Sequence, residues 1–388
     1  MLPKRIYAKI SLDNIQKNIE ALKAKLPQST EIMGIVKANA YGHGAIPVAK
    51  FLEEMGISHF GVASVDEAIE LIDNGVHGSL LVLGEIFKEN CLLAIEKGVE
   101  CTVANYETAK NLSTIAVSSH KTATIHLKID TGMGRIGFQP DENSLAEIKR
   151  IFSLDGIKVA AIFTHFACAD SADKSSAENQ KKKFLDFTDK LMADGYKFKR
   201  HMYNSAAAME MNGYCGDIVR CGIMMYGLYP SEEMRRGFAL FPAMELKSSI
   251  SFIKDVSAGF TVSYGSTYIA QRDMKIATVP VGYADGYPRY LSNKGEVLVK
   301  GVRCPILGRI CMDQFMIDVS VVPNPKVGDE ITLIGTDGGE TITVDDLADP
   351  EYRFNYEFCC LITKRVPRIY FKNGEQVYNA ITIEKDEA

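Results

Sequence analysis

Eight short apolar segments recur at near-regular intervals, at 32–37, 60–63, 80–83, 101–104, 123–130, 159–165, 200–204 and 218–224. Between them, at 45–55, 65–74, 88–97, 106–117, 144–152, 177–193 and 206–211, apolar residues return at the three- and four-residue spacing of a helix with one buried face. A further helix is read at 12–26, opened by Ser11-Leu12-Asp13 as cap material. Eight strands in strict alternation with helices predict a (β/α)8 barrel. The competing architecture is an open doubly wound sheet, and one Gly-x-Gly-x-x-Gly match exists at Gly132, Gly134 and Gly137. It follows the fifth segment instead of the first, and Phe138-Gln139-Pro140 breaks the helix that a dinucleotide turn needs. The barrel is favoured.

After Tyr229-Pro230 the rhythm changes. A charged connector at 232–236 is followed, from about 243, by short alternating segments such as 296–300 and 330–334, with turns at 256–259, 294–296 and 324–328. At 388 residues the chain has room for two domains. The division read is a barrel over 11–240 and an all-β C-terminal domain over 241–388, with strand 1–10 joining the latter.

Composition narrows the function classes. Apolar residues make up 46% and charged residues 24%, as in ordinary globular enzymes, and the net charge of −5 gives no nucleic-acid footprint. No apolar run approaches the ~20 residues of a membrane span, and the first residues lack the pattern of a signal peptide. The nine cysteines contain no Cys-x-x-Cys pair and read as small buried hydrophobes in a reducing cytoplasm. Cys359-Cys360 is read as two faces of one strand. No metal-ligand set is read.

In a barrel of this kind the active site lies at the C-terminal ends of the strands. Lys37 and Tyr41 follow the first segment, while Lys128, Asp130 and Arg135 close the fifth. His165 closes the sixth, His201, Asn204 and Ser205 the seventh, and Arg220 lies on the eighth. Lys37 admits two readings: a rim lysine reaching water, or a desolvated amine that is nucleophilic toward aldehydes. Each of the others reads singly as a satisfied polar group; together on one rim they predict a site. Ser205 opens a short helix, so it either caps that helix or joins the first free amides in holding a phosphate. Gly222-Ile223 lets further backbone amides come close to a ligand.

The block Val36-Lys37-Ala38-Asn39-Ala40-Tyr41-Gly42-His43-Gly44 resembles the pyridoxal-phosphate lysine motif of the alanine racemases, and the similarity runs from about residue 6 to 372. The resemblance implies that Lys37 holds pyridoxal 5'-phosphate, with Tyr41, Ser205, Gly222, Ile223 and Tyr356 around its phosphate. It implies that Arg220 donates to the pyridine nitrogen. A guanidinium stays charged to pH ~12 and so cannot protonate that nitrogen as a carboxylic acid would. His165 and His201 match histidines that buttress this region, and Cys221 stands where the family commonly has proline. Arg135, within Thr131-Gly132-Met133-Gly134-Arg135, matches an arginine on the cofactor phenolic oxygen and the substrate carboxylate. Lys128 matches a lysine often carbamylated in the family; a plain salt bridge to Asp130 or another carboxylate is the alternative.

Racemisation requires proton removal on one face of Cα and delivery on the other, so one lysine cannot suffice. Tyr264, in Ser263-Tyr264-Gly265, matches the family's second base, whose ordinary pKa near ~10 must be lowered by neighbouring cations. Met312 and Asp313 match a loop at the substrate end, and Tyr283, Arg289 and Arg309 match an entrance corridor. In the family the tyrosine and this loop come from the partner subunit, which implies a homodimer with composite sites. The expectation is a cytoplasmic, two-base L-/D-alanine racemase supplying D-alanine for peptidoglycan, with substrate breadth left open. Two other classes share its features. A non-catalytic barrel that binds the same cofactor would lack the β domain and Tyr264, and a decarboxylase would carry Glu in place of Arg220.

Overall fold

The structure, a computed structural model, describes residues 5–234, 237–348 and 354–378. Residues 235–236 of the charged connector and the first four positions of the expected strand 1–10 lie outside the described residues. Two units are distinguished, one of Ile15–Ala40 with Ala45–Phe241, the other of Met1–Asn14, Tyr41–Gly44 and Pro242–Ala388.

Strand β1 (Ile6–Ser11) belongs to the second unit. The first unit is a barrel of eight parallel strands: β2 (Glu31–Ile35), β3 (His59–Val62), β4 (Ser79–Glu85), β5 (Glu100–Val103), β6 (Ala123–Lys128), β7 (Ile157–Phe163), β8 (Lys199–His201) and β9 (Ile218–Cys221). β9 pairs with β2, setting Arg220 opposite Met33, so the sheet returns on itself. At the remaining seam, Asp217 N–H donates to Arg200 O (2.8 Å) and Arg220 N–H to Tyr203 O (3.0 Å), which leaves the ring nearly closed.

The intervening helices are α1 (Leu12–Lys25), α2 (Ala45–Glu54), α3 (Val65–Asp73), α4 (Lys88–Lys97), α5 (Tyr106–Ser118), α6 (Glu142–Phe152), α7 (Ser175–Ala193) and α8 (Ser205–Glu210). Four of the loops end on a side chain that caps the next helix, Asn204 before α8 being described with the site. Ser64 Oγ accepts from Glu67 N, Asn105 Oδ1 from Thr108 N and Asp141 Oδ1 from Ser144 N. Such caps contribute about 1 kcal/mol each and explain why the helix starts are sharp. The eighth segment is shorter than expected. It ends at Cys221, where the chain passes through Gly222 into a 3₁₀ turn, Ile223–Tyr226.

In the β-rich unit, β1 lies between β10 (Met244–Ser249), antiparallel, and Arg368–Lys372, parallel. From β10 the sheet continues antiparallel through Glu330–Asp337, Glu296–Val299, Val302–Leu307, Phe315–Asp318 and Met274–Val279 to Phe252–Val256. Val256, Val262, Ala270, Met274, Ile276 and Leu307 form one of its cores. The segment Tyr41–Gly44 is held here. Arg368 Nε donates to Gly42 O (2.9 Å) and Tyr370 OH to His43 O (3.0 Å), and a Cβ on Gly42 would lie 2.0 Å from Cys359 O. Cys359 and Cys360 correct the sequence reading: they sit on a helix, Asn355–Leu361, where the ~100° step buries the first and exposes the second. Among the described residues no helix is long and apolar enough to cross a membrane.

Candidate active site

Lys37 leaves the C-terminal end of β2 into a single left-handed turn. Ala38, Asn39, Ala40 and Tyr41 have φ of 51°, 54°, 55° and 50°. Each non-glycine residue held in this region costs roughly 1–2 kcal/mol, so the turn persists only because surrounding groups over-determine it. Glu67 supplies much of that restraint: one carboxylate oxygen accepts from Ala38 N (2.7 Å), the other from Ala63 N at the end of β3 (2.7 Å). Asn39 Oδ1 accepts from Ala45 N (2.9 Å), and Ala40 N donates to Val36 O (2.8 Å). The outcome is a half-buried Lys37 presented at the strand end instead of continuing the sheet.

Arg220 is buried, and burial lowers its guanidinium only to about 10, so it remains a cation near neutrality. Nη1 donates to His201 O (2.9 Å) and to His201 Nδ1 (3.0 Å), while Nη2 donates to Thr164 O (2.8 Å), Met202 O (3.2 Å) and His165 Nδ1 (3.2 Å). Among the described residues no protein acceptor takes the Nε–H, and no carboxylate pairs with the guanidinium. The charge is answered at a distance. Beyond His201, its Nε2 lies 2.9 Å from His126 Nδ1, and His126 Nε2 lies 3.0 Å from a Glu100 oxygen. Burial alone would favour neutral Glu100, but the His126 hydrogen bond and nearby positive charge outweigh it and hold the carboxyl below its usual range. Burial, then Arg220, holds His201 well below the ordinary histidine value, so it is neutral.

The fifth strand supplies the next group. Asp130 accepts from the backbone N–H groups of Gly132, Met133, Gly134 and Arg135 at 2.8–3.0 Å. This is the role of the Gly-x-Gly-x-x-Gly stretch: its amides cradle the chain's own carboxylate, and Gly132, Gly134 and Gly137 all have positive φ. Arg135 leaves that cradle exposed to solvent. Lys128 is buried, donating to Ile129 O (3.2 Å) with its amine 5.2 Å from the Phe163 ring centroid. Among the described residues it has no carboxylate within ion-pair distance, so the alternative of a plain salt bridge to Asp130 or another carboxylate is not found; four amides occupy the Asp130 carboxylate. Burial, reinforced by Arg220, lowers the Lys128 amine to about 7.

His165 shows how these groups converge. It is held well below the ordinary histidine value by burial and then by Arg220, Arg135, Lys128 and Lys37. Four basic groups, from the end of β2, from β6, from its following loop and from β9, therefore act on one imidazole. Such a concentration suits a dianionic or carboxylate ligand. Ser205 differs from its capping reading. Asn204 Oδ1 caps α8 by accepting from Ala207 N (3.0 Å), whereas Ser205 Oγ accepts from Gly222 N (3.0 Å). Ser205, Gly222 and Ile223 are thereby brought together, all buried.

The remaining candidates belong to the β-rich unit and form two groups there. Tyr41 and Tyr356 meet edge to face, with ring centroids 6.0 Å apart. Tyr264, 69% exposed, follows Ser263 (φ 66°), whose hydroxyl donates to Arg309 O (2.6 Å). A Cβ on Gly265 would lie 3.3 Å from Arg309 Nη1, so a guanidinium borders the Tyr264 turn. Met312 O accepts from Ala284 N (3.0 Å), which ties the Met312–Asp313 loop to the turn bearing Tyr283. Arg289 is exposed. Glu67, Glu100 and His126 escaped the sequence reading. Of these His126 left a trace, a histidine inside the apolar run of β6; the other two look like ordinary surface glutamates.

Residues 10–230 match the family model described as "Alanine racemase, N-terminal domain", and residues 243–370 match "Alanine racemase, C-terminal domain". The chain is 46% identical over 367 residues to an alanine racemase of Desulforamulus reducens, covering 94% of this chain and 98% of that one. It is similar in structure to the alanine racemase of Clostridium difficile 630 (TM-score 0.93, 40% identity, 97% of this chain and 98% of that one). The Bacillus anthracis alanine racemase with bound L-Ala-P is similar too (TM-score 0.91, 36% identity, with the same coverage of each chain).

Proposed function

The chain belongs to the alanine racemase family, and from that premise we propose that it interconverts L- and D-alanine with pyridoxal 5'-phosphate by a two-base mechanism. The observation that carries the reading is Arg220: a buried cation, fixed by five hydrogen bonds from its two Nη atoms, keeps one N–H in reserve. A pyridine nitrogen, which offers one lone pair and no proton, fits that donor. When bound, the cofactor supplies an electron-withdrawing ring conjugated to the amino-acid nitrogen, and so acidifies the Cα proton. An arginine there donates without surrendering its proton, which separates this site from one built on Glu.

The other assignments follow. Lys37 holds the cofactor aldehyde carbon and moves the proton on one face of the substrate Cα. Tyr264, given by the partner subunit of a homodimer, moves it on the other. Ser205 with the Gly222 and Ile223 amides, and Tyr41 with Tyr356, bind the phosphate, and His165 backs Arg220. Arg135 draws the substrate carboxylate, with Met312 and Asp313 at the substrate end. Lys128, whose amine is substantially neutral near pH 7, is suited to carbamylation: its nitrogen adds to CO2 and releases one proton. Nine free cysteines accord with a cytoplasmic enzyme, which would supply D-alanine for peptidoglycan.

The test is direct. Purified protein given the cofactor and L-alanine should form D-alanine until the two enantiomers are equal, and Lys37→Ala should lose both that activity and the visible absorbance of bound cofactor. A Lys37→Ala protein with unchanged absorbance and normal turnover would overturn the reading.

A further inference from the structure

Asp285 is fully buried in the β-rich unit, at the end of the turn that carries Tyr283. Two distant segments and its own turn converge on it. Arg5 Nη2 donates to both carboxylate oxygens (2.8 and 2.7 Å), Gly282 N donates to Oδ2 (3.0 Å), and Arg365 Nε stands 3.5 Å from Oδ1. The same Arg365 reaches outward, its Nη2 donating to Asp313 Oδ1 (2.8 Å). The backbone reinforces the arrangement. Ala284 N donates to Met312 O, Tyr283 N to Cys311 O, and Thr363 N to Asp285 O. Gly282 has no room for a side chain, since a Cβ would lie 2.2 Å from Met312 O. A buried carboxylate thus governs, through one arginine, where an exposed carboxylate sits.

We propose that Asp285 and Arg365 are positioning residues that set the place and the charge of Asp313, and through them the affinity for the amino-acid substrate. The inference rests on the reading of Met312 and Asp313 as the substrate-end loop. Its physical basis is simple. An amino acid arrives with a carboxylate of its own, and a second, unpaired carboxylate on the loop repels it. Arg365 neutralises Asp313 and holds it in one orientation, and Asp285 holds Arg365. Neither Asp285 nor Arg365 is assigned any contact with the reacting atoms, so their effect falls on binding and not on turnover.

The experiment compares the cofactor-loaded full-length wild type with Arg365→Gln, Arg365→Lys, Asp285→Asn, Asp313→Asn and the Asp313→Asn/Arg365→Gln double variant. Because Arg365 and Asp313 are both half exposed, Arg365→Gln should keep the wild-type unfolding midpoint. It should raise KM for L-alanine roughly fivefold, the scale of a networked ion pair, with kcat within about twofold. Arg365→Lys should recover part of the loss, and the double variant should be no worse than Asp313→Asn. Asp285→Asn should show the same KM change together with lower stability. Wild-type KM in a folded Arg365→Gln, a fall in kcat with KM unchanged, or additive effects in the double variant each overturn the proposal. A wild type that makes no D-alanine overturns the functional reading itself, which separates the two failures.

Discussion

His201 Nδ1 lies 3.0 Å from Arg220 Nη1, and because a guanidinium only donates, this contact fixes the protons along a buried chain that ends at Glu100. Nδ1 of His201 must accept, so its proton sits on Nε2 and points at His126 Nδ1. That nitrogen must accept in turn, which places the His126 proton on Nε2, facing Glu100. Arg220 is thereby oriented by a carboxylate two imidazoles away, with no direct ion pair.

Glu100→Gln tests that chain. The variant keeps an acceptor for His126 but removes the charge, and it should lose about 1–3 kcal/mol of stability near pH 7. The folded carboxyl is held below its usual range, so its contribution is present above the unfolded value and is lost as pH falls through the folded one. The gap between variant and wild type should therefore close in acid. Denaturant unfolding at pH 7 and pH 3.5 measures it; a gap of constant size would mean the charge is irrelevant.

Lys128 differs in that its charge costs stability instead of adding it, although here too stability rises with pH. Its folded amine is held down to about 7, against ~10.4 for a free lysine. Between those values the unfolded chain binds a proton that the folded chain does not, so wild-type stability gains from rising pH across that window. Lys128→Met should remove this slope and be the more stable protein at pH 6, by about 1–3 kcal/mol. Thermal unfolding in carbonate-free buffer from pH 6 to 10 decides it, and parallel curves for the two proteins would refute the burial argument.

Tyr264→Phe deletes one oxygen from an exposed side chain, so folding and cofactor absorbance should be unaffected. Racemisation should fall by ~10²-fold or more, the usual worth of a positioned proton-transfer group. Polarimetry on L- and D-alanine, with cofactor content measured alongside, reads the effect. Near-wild-type rates at full occupancy would move the second base elsewhere.

The left-handed turn makes a prediction about backbone energy alone. Ala38→Gly relieves a φ of 51°, a gain of roughly 1 kcal/mol that offsets the added unfolded-state freedom of glycine. Its stability should stay within about 0.5 kcal/mol of wild type. Ala49→Gly, in the middle of α2, has no strain to relieve and should cost about 1 kcal/mol. Equal losses in the two variants would mean that Ala38 is not held in strain.

Much of the barrel was legible because each strand had to be apolar along its whole length and each helix along one stripe. The expected helix at 88–97 coincides with α4, Lys88–Lys97, and most other bounds differ by a residue or two. Where long-range partners decide, the local pattern left alternatives open: Ser205 reads either as a helix cap or as a phosphate holder, and its hydroxyl accepts from Gly222 N, while the Gly-x-Gly-x-x-Gly stretch, set aside as a dinucleotide turn, closes its amides on Asp130. Glu67 and Glu100 have no signature at all, since a glutamate reads the same whether it faces water or anchors a strained turn.

Residue order alone determined which groups are available and which strand end or loop each occupies, because periodicity and side-chain chemistry are local properties. Lys37, Lys128 and Arg220 were placed at strand ends on those terms, whereas Tyr264 was singled out only by the family resemblance. Only the tertiary structure decided their states. The left-handed presentation of Lys37, the depressed Lys128 amine, the proton order from Arg220 to Glu100 and the tie from Asp285 to Asp313 all depend on burial and on contacts between residues far apart in the chain. Desolvation and hydrogen-bond direction exist only once those residues are packed together.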